Sequence, residues 1–165
     1  MTNTDFAKHF SKTYFEARAK FLAACKARSL AVESRLNPNA KGPGGEDLFT
    51  DIVRIGPADA QKALLLISGT HGVEGYCGSG PQIGLLSTGA FDRLPDDTAV
   101  VMIHAINPYG FAHDRRVNED NIDLNRNFID WDASDRPTSA YGDVHQHVLP
   151  SDWGGPGMEA ANAAL

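Results

Sequence analysis

The chain has little that would staple or anchor it. Two cysteines in 165 residues, Cys25 and Cys77, make no disulfide framework, and a cytoplasmic, reducing setting is expected. No stretch approaches the roughly 18 apolar residues of a membrane span. Met1 to Lys12 carries charge early and lacks the apolar heart of a signal peptide. Basic residues are outnumbered, 15 against 21 acidic ones, and the net charge of −6 argues against nucleic acid as a partner. Internal repeats, low-complexity tracts, a Walker loop and a dinucleotide fingerprint are all missing. What remains is ordinary globular material, 42% hydrophobic and 22% charged. That length suits one domain burying roughly 70% of its unfolded surface.

Thr4 to Arg28 reads as a helix. Phe6, Phe10, Tyr14, Phe21 and Cys25 recur at helical spacing, and Asn3 or Thr4 serves as the cap. Residues 31–36 read as a short strand, followed by turn chemistry at Asn37-Pro38-Asn39 and Gly42-Pro43-Gly44-Gly45. Leu48 to Ile55 reads as a strand, and Lys62 to Ser68 and Ala99 to Ile106 as strands of buried type. Gly75 to Gly84 is small and flexible. The pattern turns helical from Pro81 to Leu86 and stops near Gly89. After Asp130 the chain is irregular until a helix starts at Gly157, with no stop signal before Leu165. Strands alternating with helices predict an α/β fold built on a sheet flanked by helices. Only three or four strands are visible, few for a sheet covered on both faces. A chain cut before its domain is complete is therefore expected, with an exposed sheet edge and marginal stability.

The chemistry concentrates in two places. His71-Gly72-Val73-Glu74 follows the apolar run Leu64-Leu65-Leu66-Ile67. An imidazole and a carboxylate three residues apart, just past a strand, can grip one metal ion. Ligands of open α/β sheets gather at such strand ends. Gly69, Gly72 and Gly75 permit close backbone approach there. The second place is Arg115-Arg116-Val117-Asn118 followed by Asn121-Ile122-Asp123-Leu124-Asn125-Arg126-Asn127-Phe128. Arg116, Asn125 and Arg126 would suit an anionic substrate group or a developing oxyanion. Each motif alone also fits a plain turn or a solvated loop.

In this order, separated by a strand ending in Asn107-Pro108-Tyr109-Gly110, the two motifs resemble the zinc carboxypeptidases of the M14 type. That family shows H-x-x-E after a strand, then N-P-x-G, an arginine, and D-x-N-R-N. Ser68 to Gly75 and Arg115 to Phe128 are closer still to the branch grouped as DUF2817, which the N-terminal helix and the Gly56-Pro57 turn also resemble. The resemblance covers nearly all of the chain. It implies a mixed sheet flanked by helices, the zinc carboxypeptidase (phosphorylase/hydrolase-like) fold, here as a single incomplete domain over residues 1–165.

The resemblance further implies Zn2+ as cofactor, with His71 and Glu74 as two of its ligands. Asp123 would hydrogen-bond His71, Arg116 would polarise the scissile carbonyl and meet the oxyanion, and Asn125 and Arg126 would hold a substrate carboxylate. The implied reaction is hydrolysis of an amide next to a free carboxylate, in a peptide or an N-acyl amino acid. An N-acyl amino acid deacylase, like aspartoacylase or succinylglutamate desuccinylase, is the alternative, and a non-catalytic anion-binding chain is the reading from another class. The family's third zinc ligand, a downstream histidine, and its glutamate base find no counterpart in this sequence. The 165-residue chain alone is therefore expected to be inactive.

Other candidates are weaker. His145-Gln146-His147 is the one close histidine pair and a minor candidate for the missing ligand. His104 is expected to be a hydrogen-bonded core residue, His113 a loop residue and His9 an exposed helical one. Cys77-Gly78-Ser79-Gly80 resembles a nucleophile loop, but Cys77 is expected to be a small buried thiol. Trp131, Tyr141 and Trp153 read as packing or rim residues.

Overall fold

The long helix expected from Thr4 to Arg28 is two helices in the computed structural model, which describes residues 4–126, 132 and 155–164. Helix α1 covers Thr4–Ala7 and α2 covers Tyr14–Ala27. Between them, Thr13 takes extended backbone angles and its hydroxyl accepts the Glu16 N–H at 3.1 Å. The Glu16 carboxylate reaches back to the Lys12 N–H at 2.8 Å. This is a helix start written in the sequence as T-x-x-E and outweighed there by apolar spacing that ran across it. Thr13→Ala should cost about 1 kcal/mol of stability in urea denaturation, the usual worth of such a cap.

Among the described residues, four strands form one mixed sheet in the order β1-β2-β4-β3. They are β1 (Val32–Lys41), β2 (Asp47–Ile55), β3 (Lys62–Ile67) and β4 (Thr98–His104). β1 and β4 both run antiparallel to β2, and β3 runs parallel to β4. A parallel neighbour needs a crossover, which α3 (Gly75–Thr88) supplies. β1 is longer than expected and continues through Asn37-Pro38-Asn39. Its register slips between Leu36 and Lys41, and Pro38 is tolerated because β1 is an edge strand. Helix α3 likewise starts earlier than expected, at Gly75, with Pro81 inside it. It ends at Gly89, whose φ of 70° is the left-handed close that glycine permits.

The core lies on one side of the sheet. Phe21 and Cys25 of α2 and Ile83 and Leu86 of α3 pack on Val53, Val100 and Met102. A second cluster, Tyr14, Ala17, Leu48, Ala105 and Phe111, holds the short helix α4 (Pro108–Ala112) in place. Between the clusters, Arg18 closes on the buried Asp51 carboxylate through two hydrogen bonds of 2.7 and 3.1 Å. Ser34 donates a third at 2.5 Å.

β3 departs from its expected burial. Leu65 and Ile67 are 52% and 44% exposed, and Leu64 on the other face is 47% exposed. The run is apolar enough for a central strand. Among the described residues, though, β3 is an edge with β4 as its one partner. The open face continues over the half-buried Val101, Ile103 and Ile52.

The chain divides into two compact units, Met1–Phe128 and Ile129–Leu165. Of the second, α5 (Pro156–Ala164) is the described element. No helix among the described residues is long and apolar enough to cross a membrane.

Candidate metal centre

The backbone leaving β3 is stitched to the segment leaving β4. Ser68 N–H bonds the Ile103 carbonyl, and Asn107 N–H bonds that of Gly69. Gly72 N–H then bonds the Arg115 carbonyl at 3.0 Å. Asn107 caps α4, its Oδ1 accepting from Gly110 N–H at 2.8 Å. This stitching places His71 at the mouth of the sheet, with its side chain 10% exposed.

Asp123 arrives by a second loop. Asn118 Oδ1 accepts the N–H groups of Asp120 and Ile122, and Asn118 N–H bonds the Ile122 carbonyl. Arg115 donates to Asn121 Oδ1 at 2.6 Å, where Asn121 sits at a φ of 60°. The closed loop turns the chain back so that Asp123 Oδ1 stands 3.0 Å from His71 Nε2. On its other side, His71 Nδ1 stands 3.0 Å from Glu74 Oε1. Three residues from two distant segments thus form one line: carboxylate, imidazole, carboxylate.

Either ring nitrogen can carry the proton of a neutral imidazole; with it on Nε2, facing Asp123, Nδ1 is left as a lone pair. Desolvation alone would raise the Asp123 pKa. Hydrogen bonds from Arg116, His71 and the Asn125 N–H outweigh it and hold the carboxyl down at about 2. In that tautomer a lone pair and a carboxylate oxygen stand 3.0 Å apart as two facing acceptors, which a shared proton or a cation would satisfy. Tetrahedral zinc with ligand bonds near 2.0–2.1 Å spaces its ligands by a little over 3 Å, so the pair suits two positions on such an ion.

The remaining expected site residues divide. Arg116 Nε donates to Asp123 Oδ2 at 2.7 Å, so the arginine joins the line through Asp123. Asn125 N–H donates to Asp123 Oδ1 at 2.9 Å, within the 3-10 turn Leu124–Arg126. The side chains of Asn125 and Arg126 face solvent, and among the described residues no hydrogen bond ties them to His71 or Glu74. No group of three histidine, cysteine, aspartate or glutamate side chains among the described residues is placed to hold a metal. His145 and His147 lie outside the described residues, as do Trp131, Tyr141 and Trp153.

Three minor expectations resolve here. His104 is fully buried and its Nε2 bonds Ser79 Oγ at 2.8 Å, as a core histidine should. His113 ends α4 and bonds the Lys41 carbonyl. Cys77, expected to be buried, is exposed, because α3 starts early and turns that position outward. Sequence reasoning gave no role to Asn107 and Asn118. Their signal was present, since asparagine two to four residues before a turn commonly bonds the backbone ahead of it.

The family model described as Protein of unknown function (DUF2817) matches residues 10–165. No curated protein matches the chain. Among solved structures, carboxypeptidase A from Helicoverpa armigera is 20% identical, with a TM-score of 0.48, over 76% of this chain and 36% of its own. Bovine thrombin-activatable fibrinolysis inhibitor, solved with tick carboxypeptidase inhibitor, is 12% identical, with a TM-score of 0.46, over 67% and 38%. Glutaminyl cyclase from Fimbriiglobus ruber is 8% identical, with a TM-score of 0.41, over 61% and 41%. The chain spans less than half the length of each of these three proteins.

Proposed function

The chain belongs to the DUF2817 family, and from that premise we propose that it carries part of the active site of a zinc-dependent amide hydrolase. The observation that supports this most is the facing pair of His71 Nδ1 and Glu74 Oε1, with Asp123 holding the far ring nitrogen. His71 and Glu74 would hold the zinc, and a third ligand would come from outside the described residues. Bound zinc supplies Lewis acidity and makes water nucleophilic near neutral pH.

The chain's own groups do the rest. Asp123 keeps His71 in the Nε2–H tautomer and so keeps Nδ1 available. Arg116 spends Nε on Asp123, and its terminal nitrogens carry four further N–H donors suited to a developing oxyanion. Asn125 and Arg126 stand on the next turn and offer an amide and a planar fork to a substrate carboxylate. The substrate class is accordingly an amide beside a free carboxylate, as in a peptide C-terminus or an N-acyl amino acid. Turnover of one and not the other would divide peptidase from deacylase.

Zinc titration by calorimetry tests the reading. His71→Ala and Glu74→Gln should each weaken binding by tenfold to a hundredfold. Asp123→Ala should cost about tenfold, the lower end for an outer partner of a ligand. Equal zinc affinity in wild type and His71→Ala would refute the assignment.

A further inference from the structure

A cleft that His71 does not line lies between the Phe6–Phe10 segment and α3. Its volume is about 430 Å³, within the range of small-molecule sites. Phe6, Phe10, Pro81 and Leu85 supply apolar walls. Two glycines of α3 shape it. A Cβ on Gly80 would stand 2.7 Å from the Phe10 ring, and one on Gly84 would stand 3.4 Å from the His9 ring. Larger residues at these positions would push the Phe6–Phe10 segment off α3 and reshape the cleft.

Two polar side chains line it. Thr88 has turned its hydroxyl onto its own helix, donating to the Gly84 carbonyl at 2.9 Å. His9 is different. Expected to be exposed, it is 7% exposed, sitting in the turn that follows α1. Its backbone N–H bonds the Phe6 carbonyl, and its ring meets Phe6 edge-on at 6.3 Å. The imidazole itself has no hydrogen-bond partner among the described residues. Its ring nitrogens are not among the fully buried unpartnered side-chain atoms, so they stay open to a partner from outside the fold, and one such hydrogen bond contributes about 1 kcal/mol.

We propose that this cleft binds a small neutral aromatic molecule carrying a hydroxyl group, with the hydroxyl on the His9 imidazole. Flat rings suit walls made of Phe6 and Phe10, which can stack or meet them edge-on. Among the described residues no charged side chain lines the cleft, so a charged ligand would find no compensating charge on those walls. A hydroxyl can donate to the lone pair of a neutral imidazole or accept from its N–H, so it serves either tautomer.

The test uses p-cresol and toluene, which differ by that hydroxyl, titrated into the full chain while the His9 ring signals are followed by NMR. p-Cresol should give saturable shifts and bind about tenfold tighter than toluene, the worth of one hydrogen bond. His9→Phe should erase the preference while keeping toluene binding. Leu85→Trp should fill the cleft and abolish both. Thr88→Phe blocks it from the exposed end of the helix and serves should Leu85→Trp fail to fold. Equal affinities for the two probes, or p-cresol binding that survives in folded Thr88→Phe, would overturn the proposal.

Discussion

Gly72→Ala should lower stability by about 4 kcal/mol and, on the proposed assignment of His71 and Glu74, remove zinc binding together with it. A Cβ at this position would lie 1.9 Å from the Gly110 carbonyl carbon, 2.0 Å from its oxygen and 2.4 Å from the Arg115 carbonyl oxygen. All three are backbone atoms. They belong to α4 and the turn after it, which are pinned by Asn107 and by the Arg115 N–H bonded to Gly110. A flexible side chain could swing aside, whereas a pinned backbone must move as a unit. Moving it breaks the Gly72–Arg115 hydrogen bond that orients His71 and opens the loop that returns Asp123. Gly44→Ala is the control, because its new Cβ meets only the mobile Glu46 carboxylate. It should stay within about 1 kcal/mol of wild type. Urea denaturation and zinc calorimetry on both variants check the result. A Gly72→Ala protein with wild-type stability would mean that the two loops are not packed as described.

This contact also marks the limit of what the sequence discloses. Gly69, Gly72 and Gly75 are legible as places of close approach, but which backbone approaches is not. The partner, Gly110, is 38 residues on, and only the pairing of β3 with β4 brings it near. Local signals did locate β2, β3, β4 and the close of α3 at Gly89. They failed where a longer-range arrangement overrode them. Pro38 reads as a turn, yet an edge strand has an unpaired side on which a missing N–H does no harm. Gly75 to Gly84 reads as flexible, yet small residues at 75, 78 and 80 are what let α3 press against Phe111, Ser68 and Phe10. The apolar run of β3 reads as buried, and its exposure follows from its position at the sheet edge, which no window of sequence contains.

The candidate centre was legible in part for the same reason. His71 and Glu74 are neighbours on one turn, so their spacing alone suggests a shared ion. Asp123 is joined to them by a loop whose closure depends on Asn118, and residue-by-residue resemblance, not spacing, pointed to it. That Arg116 binds Asp123 was not foreseen at all. An arginine assigned to a substrate oxyanion was expected to face the cleft, and the structure gives its Nε to the carboxylate that steadies His71. Both duties are compatible, since a guanidinium carries five N–H donors.

Acid should destabilise this protein earlier than its carboxylates can explain. His104 is fully buried, with Phe21 stacked on it at 4.6 Å and Nε2 bonded to Ser79. Its Nδ1 has no partner among the described residues. Burial is the largest influence and pushes the imidazole pKa down, from 6.5 to about 4. The buried Asp51 opposes this and Arg18 reinforces it. The sign follows from which state holds more protons. In the unfolded chain His104 protonates near 6.5, while in the folded protein it stays neutral until about 4. Between those values the unfolded state binds the extra proton, so stability is complete above pH 6.5 and declines as pH falls toward 4. The whole window is worth about 3 kcal/mol, and about 2 kcal/mol should already be gone at pH 5. The carboxylates held low, Glu16, Asp97 and Asp123, contribute above their unfolded values of 3.8–4.5 and lose that contribution as pH falls below them toward the lowered folded values, so the upper part of the window isolates His104. Urea denaturation at pH 7.5, 6 and 5 should show the decline, and His104→Gln should flatten it while lowering stability at neutral pH. NMR titration of the folded protein is the decisive check. A His104 ring that titrates near 6.5 would remove the basis of the prediction, because a group with the same pKa in both states cannot couple folding to pH.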